Sequence, residues 1–261
     1  MARYSESELR AVFGDEAEKL TRQLNERRRQ SREEKFGESE KIRIELAEIA
    51  DRYKSARHTP EVISGTWQDL WLQWGKRIGR EVRVPPLEHG KKAIGKAEAR
   101  NDFFVYVPEE FSEPENSHDL KVMMKGVAGH IPSVPYQPYR NLIRQSGWLR
   151  TEYSILPPHE GISLDQMRRF SHSEREPMTV NTYAIASQAA RLFSGSFFDA
   201  DNFSSRAHRC SVIFGSSLFD REGILMTRAN SNNGWNSSIN ERLITRAELL
   251  GVRTVAKQGK A

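Results

Sequence analysis

Thr66-Trp67-Gln68-Asp69-Leu70-Trp71-Leu72-Gln73-Trp74-Gly75-Lys76-Arg77-Ile78 places three of the chain's five tryptophans within eight residues. Trp67, Leu70, Trp71, Trp74 and Ile78 recur at three- and four-residue intervals, the spacing of one helix face. Thr66 followed by Asp69 resembles a capping arrangement, so the pattern predicts a helix over 66–78. A face of this size is a core element: it anchors the helix to something large and apolar.

Upstream, the chain reads as helix throughout residues 1–80. Ser5 with Glu8 makes a capping box ahead of an apolar stripe, Leu9, Val12, Phe13, Ala17, Leu20 and Leu24. Residues 25–35 keep helical propensity through charge pairs but have no face to bury. Gly37 breaks the pattern, and Ser39 caps a second helix carrying Ile42, Leu46, Ile49, Ala50 and Tyr53. Two amphipathic helices with a short Gly-containing connection predict a helical hairpin. Each stripe is narrow and needs a partner: the other helix, the rest of the chain or a second subunit.

Downstream of Gly79 the texture changes, and residues 81–261 read as a mixed globular domain. Lys91, Lys92 and Lys96 belong to a linker or short helix. Phe103–Val107 reads as a buried strand, residues 109–117 as an acidic loop, and Leu120–Met124 as a second strand. Seven of the eleven prolines fall between Pro108 and Pro158, which makes this stretch rich in loops. A short helix follows over 164–170 and a longer one over Thr179–Phe193, the latter closed by Gly195. Residues 211–219 and 224–228 form a candidate hairpin, Ser238 with Glu241 caps a last helix ending near Leu250, and residues 257–261 form a tail. The fold class is therefore α+β: a helical N-terminal region, hairpin plus Trp-rich helix, before a body of short antiparallel strands and helices.

Charge is laid out in blocks. Residues 76–100 hold eight Lys or Arg against three Glu; residues 102–119 hold six Asp or Glu and no cation; from Lys121 onward the balance is eighteen basic to eleven acidic. With a net charge of +5 and a pI near 9.3, this patterned field favours a polyanionic partner. The single cysteine, Cys210, excludes an intramolecular disulfide and a Cys-based zinc site, and reads as a small buried hydrophobe. No apolar run reaches the length of a signal or membrane segment, so a cytoplasmic protein without membrane contact is expected.

Two segments carry binding chemistry. Val134–Arg150 interleaves aromatics and arginines without a carboxylate: Tyr136 and Tyr139, then Arg140, Arg144, Trp148 and Arg150. Single-stranded nucleic acid is held by such a combination, bases on rings and guanidinium groups on phosphates. The competing reading is a proline-rich loop with Trp148 in the core. Lys91, Lys92, Lys96 and Arg100 form a second basic group, with few local counter-charges. Arg27, Arg28, Arg29 and Arg32 form a third, balanced by neighbouring glutamates.

One constellation points to catalysis. Asp102 precedes a strand, and Asp119-Leu120-Lys121 opens the next; two carboxylates on neighbouring strands can hold Mg²⁺ while a lysine two residues on orients water. These residues resemble the Asp…Asp/Glu-x-Lys signature of the PD-(D/E)XK nuclease superfamily, over about twenty residues. Asn101 stands where that signature has proline. The resemblance implies a Mg²⁺-dependent nuclease using Asp102, Asp119 and Lys121. No other cofactor or metal is expected.

The expected function is non-catalytic binding of RNA or DNA within a larger intracellular assembly, with the N-terminal helices docking a protein partner or a second copy. The alternatives are a structural protein of a phage or mobile element, acting through those helices, and the nuclease.

Overall fold

The computed structural model describes residues 16–112, 119–120, 145–154, 175–196, 198, 210–212, 225–230, 234–239, 250–252 and 254–257. Helix α1, Glu16–Ser55, is 40 residues long and passes through Gly37 without interruption. The expected hairpin is therefore replaced by one continuous helix. A single glycine costs a helix only about 1 kcal/mol relative to alanine, too little to outweigh strong helix formers on both sides. Ion pairs along the helix add local support: Arg29 lies 2.8 Å from Glu26 and 3.8 Å from Glu33, and Arg43 Nε donates to Glu40 at 2.9 Å.

The chain divides into two compact units inside this helix, Met1–Glu45 and Leu46–Ala261. In the first, every described side chain between residues 22 and 39 is exposed. In the second, the end of α1 buries Leu46, Ile49, Ala50 and Tyr53 at the expected spacing. The boundary expected at residue 80 does not part helices from strands, because the Trp-rich helix and the strands share this second unit.

Helix α2, Pro60–Lys76, starts six residues before the expected Thr66. Thr59 Oγ1 accepts from the Val62 amide at 3.3 Å, and Pro60 fills the first helical position, where its missing N–H costs nothing. The helix ends in a Schellman turn. Gly79 takes φ +65°, the Arg80 amide donates to the Gly75 carbonyl at 3.1 Å, and the Gly79 amide donates to Lys76 at 3.4 Å. The chain folds back so closely that a Cβ on Gly75 would meet the Arg80 carbonyl oxygen at 2.2 Å.

The first sheet has the order β1-β2-β8-β3, all antiparallel, from β1 (Asp102–Val107), β2 (Gly147–Glu152), β8 (Thr254–Lys257) and β3 (Arg175–Pro177). β1 is an edge strand, and α2 covers that edge. Trp67 Nε1 donates to the Phe104 carbonyl at 2.9 Å and Trp71 Nε1 to the Tyr106 carbonyl at 3.1 Å. The match is geometric: residues four apart on a helix rise about 6 Å, and outward carbonyls two apart on a strand are about 6.8 Å apart. The tryptophan face thus fills the core and satisfies carbonyls that an open edge would leave unpaired. Trp74 completes the cluster, edge-on to Trp71 at 5.2 Å. The non-regular segment 80–90 is stapled down by side chains: Gln68 bonds both the Val82 carbonyl and the Val84 amide, and Ser64 accepts from the Leu87 amide.

Helix α3, Lys91–Ala99, precedes β1 and buries Ile94 and Ala97. Helix α4, Val180–Ser194, is capped by Thr179 and closed by Gly195 at φ +83°, as its sequence predicts. Residues 181–190 are buried on every side, which makes α4 a central rather than a one-faced helix. Two of its polar side chains are paired inward: Asn181 donates to the Phe111 carbonyl at 2.8 Å, and Ser187 accepts from the Phe198 amide.

A second sheet has the order β6-β5-β4-β7, from β4 (Cys210–Val212), β5 (Leu225–Asn230), β6 (Gly234–Ile239) and β7 (Leu250–Val252). β4 and β5 pair antiparallel, as the candidate hairpin predicts, while β4 and β7 run parallel. Three expectations are corrected. Residues 119–120 are helical rather than the start of a strand. Ser238 lies in β6 and Leu250 in β7, so neither end of the expected last helix is helical, and the residues between, 240–249, lie outside the described residues. Lys257 is the last residue of β8, paired with Leu149, rather than part of a tail. The expected helix over 164–170 lies outside the described residues. Among the described residues, no helix is long and apolar enough to cross a membrane.

Candidate nucleic-acid interface and an adjoining aromatic cleft

Helix α3 divides its side chains cleanly. Ile94 and Ala97 point into the core, and Lys91, Lys92, Lys96 and the capping residue Arg100 are exposed. Lys92, Lys96 and Arg100 follow one another at four-residue spacing, about 6 Å apart along the axis, and so share a face. Among the described residues none of these three has an ion-pair partner. Lys91 is offset by a quarter turn and lies near Glu61, whose carboxyl is held below its usual range, first by the Thr59 hydroxyl and in smaller part by Lys91.

The Val134–Arg150 segment fares differently. Tyr136, Tyr139, Arg140 and Arg144 lie outside the described residues. Trp148 is buried on β2: its Nε1 donates to the Pro85 carbonyl at 3.0 Å, and its ring packs against Trp67 and Tyr106. It therefore offers no stacking face, and that assignment is corrected. Arg150, two residues on and on the same side of the strand, points to Asp102, with Nε 3.3 Å from Oδ2. That contact is one of charge only, because Nε makes no aligned hydrogen bond. Arg175 from β3 approaches the same carboxylate at 3.4 Å and reaches Glu152 at 3.0 Å. Arg150 is thus committed to an internal ion cluster rather than to a solvent-facing phosphate.

This cluster also includes one of the residues of the nuclease reading. Asp102 begins β1, held between two guanidinium groups. Asp119 bonds Arg80 at 2.9 Å, and that guanidinium lies 6.0 Å from the Phe111 ring, beyond the other end of β1. The two carboxylates thus have different arginine partners. Each already has an arginine in place of a metal, and among the described residues no three His, Cys, Asp or Glu side chains are grouped to hold one. Lys121 lies outside the described residues.

Behind the cationic face of α3 lies a cleft of about 360 Å³, walled by the end of α1, α3, β1, Tyr153 and the end of α4. Tyr53 stands between His58 and Phe193, both stacked at 4.2 Å, so its ring faces are covered and its edge and hydroxyl remain. Burial, then Tyr153 and Glu98, push the Tyr53 phenol well up, which keeps it a hydrogen-bond donor. His58 Nδ1 lies 2.6 Å from Glu98 Oε1, and Nε2 lies 3.2 Å from the Tyr53 carbonyl. Both ring nitrogens face oxygen acceptors, so His58 latches α1 to α3 and is not placed to act as a general base.

Asn101 closes the cleft floor. It takes φ +56°, a left-handed conformation that asparagine tolerates better than most residues. The turn is locked to the end of β2: Asn101 Nδ2 donates to the Tyr153 carbonyl at 2.9 Å, and the Tyr153 amide donates back to Asn101 at 2.6 Å. The Tyr153 ring packs edge-on to Phe103 at 4.9 Å; burial raises its phenol, partly offset by a hydrogen bond with Ser194.

No family model, curated protein or solved structure matches this chain. The cleft was invisible to sequence reasoning because Tyr53, His58, Glu98, Asn101 and Tyr153 span a hundred residues and no motif links them. Only Asn101 carried a local signal, an asparagine between a helix and a strand, where a left-handed turn is common.

Proposed function

We propose that the protein binds single-stranded nucleic acid, RNA or DNA, as a non-catalytic subunit of an intracellular assembly. The observation that supports this reading is the row Lys92, Lys96 and Arg100: three exposed cations on one helix face, none with an ion-pair partner among the described residues. Such a row repels itself unless an anion neutralises it, and a phosphate backbone supplies anions in series while releasing counterions. The basic charge of the whole chain acts in the same direction. The commitment of both His58 nitrogens and the arginine pairing of Asp102 and Asp119 favour binding over catalysis. Docking to a protein partner or a second copy is proposed for the N-terminal region, where every described side chain over 22–39 is exposed.

The test is fluorescence anisotropy of a labelled uridine-rich single strand at about 50 mM salt, where phosphate contacts are strongest. Wild type binds, and the variant Lys92→Ala/Lys96→Ala/Arg100→Ala loses roughly tenfold or more in affinity. Absence of wild-type binding under these conditions overturns the proposal.

A further inference from the structure

We infer that the cleft beside α3 receives a guanine base. The inference rests on the nucleic-acid reading for where the base comes from, but its geometry is independent of the cationic row. The volume, about 360 Å³, falls in the range of pockets that hold one small ring system. Its wall offers the Tyr153 ring for stacking, since that side chain is partly exposed and, among the described residues, its one ring contact is with Phe103.

The polar groups set the choice of base. Glu98 gives Oε1 to His58, and its side chain is 49% exposed, so Oε2 is left as an acceptor. Asn101 uses its amide nitrogen on the Tyr153 carbonyl, which leaves Oδ1 as a second acceptor. Tyr53, with both ring faces covered, presents its hydroxyl as a donor. Two acceptors and one donor complement the Watson–Crick edge of guanine, which offers N1–H, N2–H and O6. Uracil offers one donor there and cytosine one donor group beside two acceptors, so each leaves a cleft acceptor unpaired or facing another acceptor. Adenine lacks the second donor position. Arg100, last of the cationic row, is followed directly by Asn101 of the cleft wall, so a strand that runs along α3 and past its end would bring a base to the cleft.

The experiment compares uridine nonamers carrying one central guanosine, inosine or adenosine, with guanosine monophosphate titrated separately. Wild type binds the guanosine nonamer about tenfold or more tighter than the adenosine one, and inosine, lacking N2–H, falls between them. Glu98→Gln keeps an acceptor for His58 but turns an amide NH₂ toward the base; it abolishes the guanosine preference without weakening all-uridine binding. Equal binding of all nonamers, or a preference untouched by Glu98→Gln, overturns the cleft assignment while the nucleic-acid reading stands. If no nonamer binds at low salt, the nucleic-acid reading falls and the monophosphate decides the cleft. Binding with preference over adenosine monophosphate then supports a free guanine nucleotide, and no binding overturns the inference.

Discussion

Residues 22–39 of α1 and the whole of α2 are both unbroken helix, yet they are stable for opposite reasons. The first stretch has no described side chain buried, and its visible support is local: Arg29 between Glu26 and Glu33, then Arg43 on Glu40 nearby. The second buries Ile63, Trp67, Leu70, Trp71 and Trp74 and donates two indole N–H groups to a strand edge. Helical periodicity alone does not distinguish the two; where the side chains go does. A helix of the first kind tolerates change and responds to salt, whereas a helix of the second kind fails when one large side chain is removed.

The largest expected effect breaks the comparison directly. Trp71→Ala removes a fully buried ring and leaves the Tyr106 carbonyl unpaired, which should cost about 3–5 kcal/mol in urea unfolding. Phe36→Ala, at a side chain 75% exposed, should change stability by no more than about 0.5 kcal/mol. Comparable losses from the two would show that the α1 stretch is packed rather than self-supporting.

Two glycines sharpen the contrast. Gly75→Ala forces a Cβ against the Arg80 carbonyl at 2.2 Å, and because the obstacle is backbone it should cost about 1–3 kcal/mol. Gly37→Ala meets nothing within 4 Å and should stabilise α1 by up to about 1 kcal/mol. Thermal melts followed by far-ultraviolet circular dichroism should therefore move in opposite directions, and a shift of the same sign in both would refute the account of the α2 terminus.

The smallest effect concerns charge. A hydrogen bond from Arg43 is the main reason that the Glu40 carboxyl lies below its usual 4.5. A carboxyl depressed in the folded state contributes above its unfolded pKa, and the contribution is lost as pH falls through the lower folded value. Glu40→Gln should remove a small part of the helicity lost on acidification below about pH 4.5. An acid titration of ellipticity identical to wild type would show that this pair contributes nothing.

The sequence made the Trp face legible because tertiary burial and helical period agree there, and β1 legible because Phe103–Val107 is apolar throughout. The caps of α4 were equally plain, since Thr179 and Gly195 act locally. Three features were hidden for physical reasons. Gly37 looked like a break because its penalty is local, while the helix around it sums favourable terms over many residues. The start of α2 lies at Thr59-Pro60, a strong N-terminal signal, and not at Thr66, whose side chain resembles a cap in sequence but whose hydroxyl bonds the Val62 carbonyl inside the helix. Trp148 and Arg150 look like a binding surface because their neighbours are polar; the period of a strand turns both to one side, where Pro85, Trp67 and β1 supply the partners. Of the interface, the α3 cations were readable from composition, and the cleft was not, because it is assembled from five separated elements.

The most direct test of the central claim is the salt dependence of single-strand binding, measured for wild type and for the Lys92→Ala/Lys96→Ala/Arg100→Ala variant. Each phosphate neutralised on a single strand contributes about 0.7 to the slope of log affinity against log salt, so removing three contacts should lower that slope by about 2. A variant that binds more weakly with an unchanged slope, or a wild type with no slope at all, would contradict the assignment of the α3 row to phosphate.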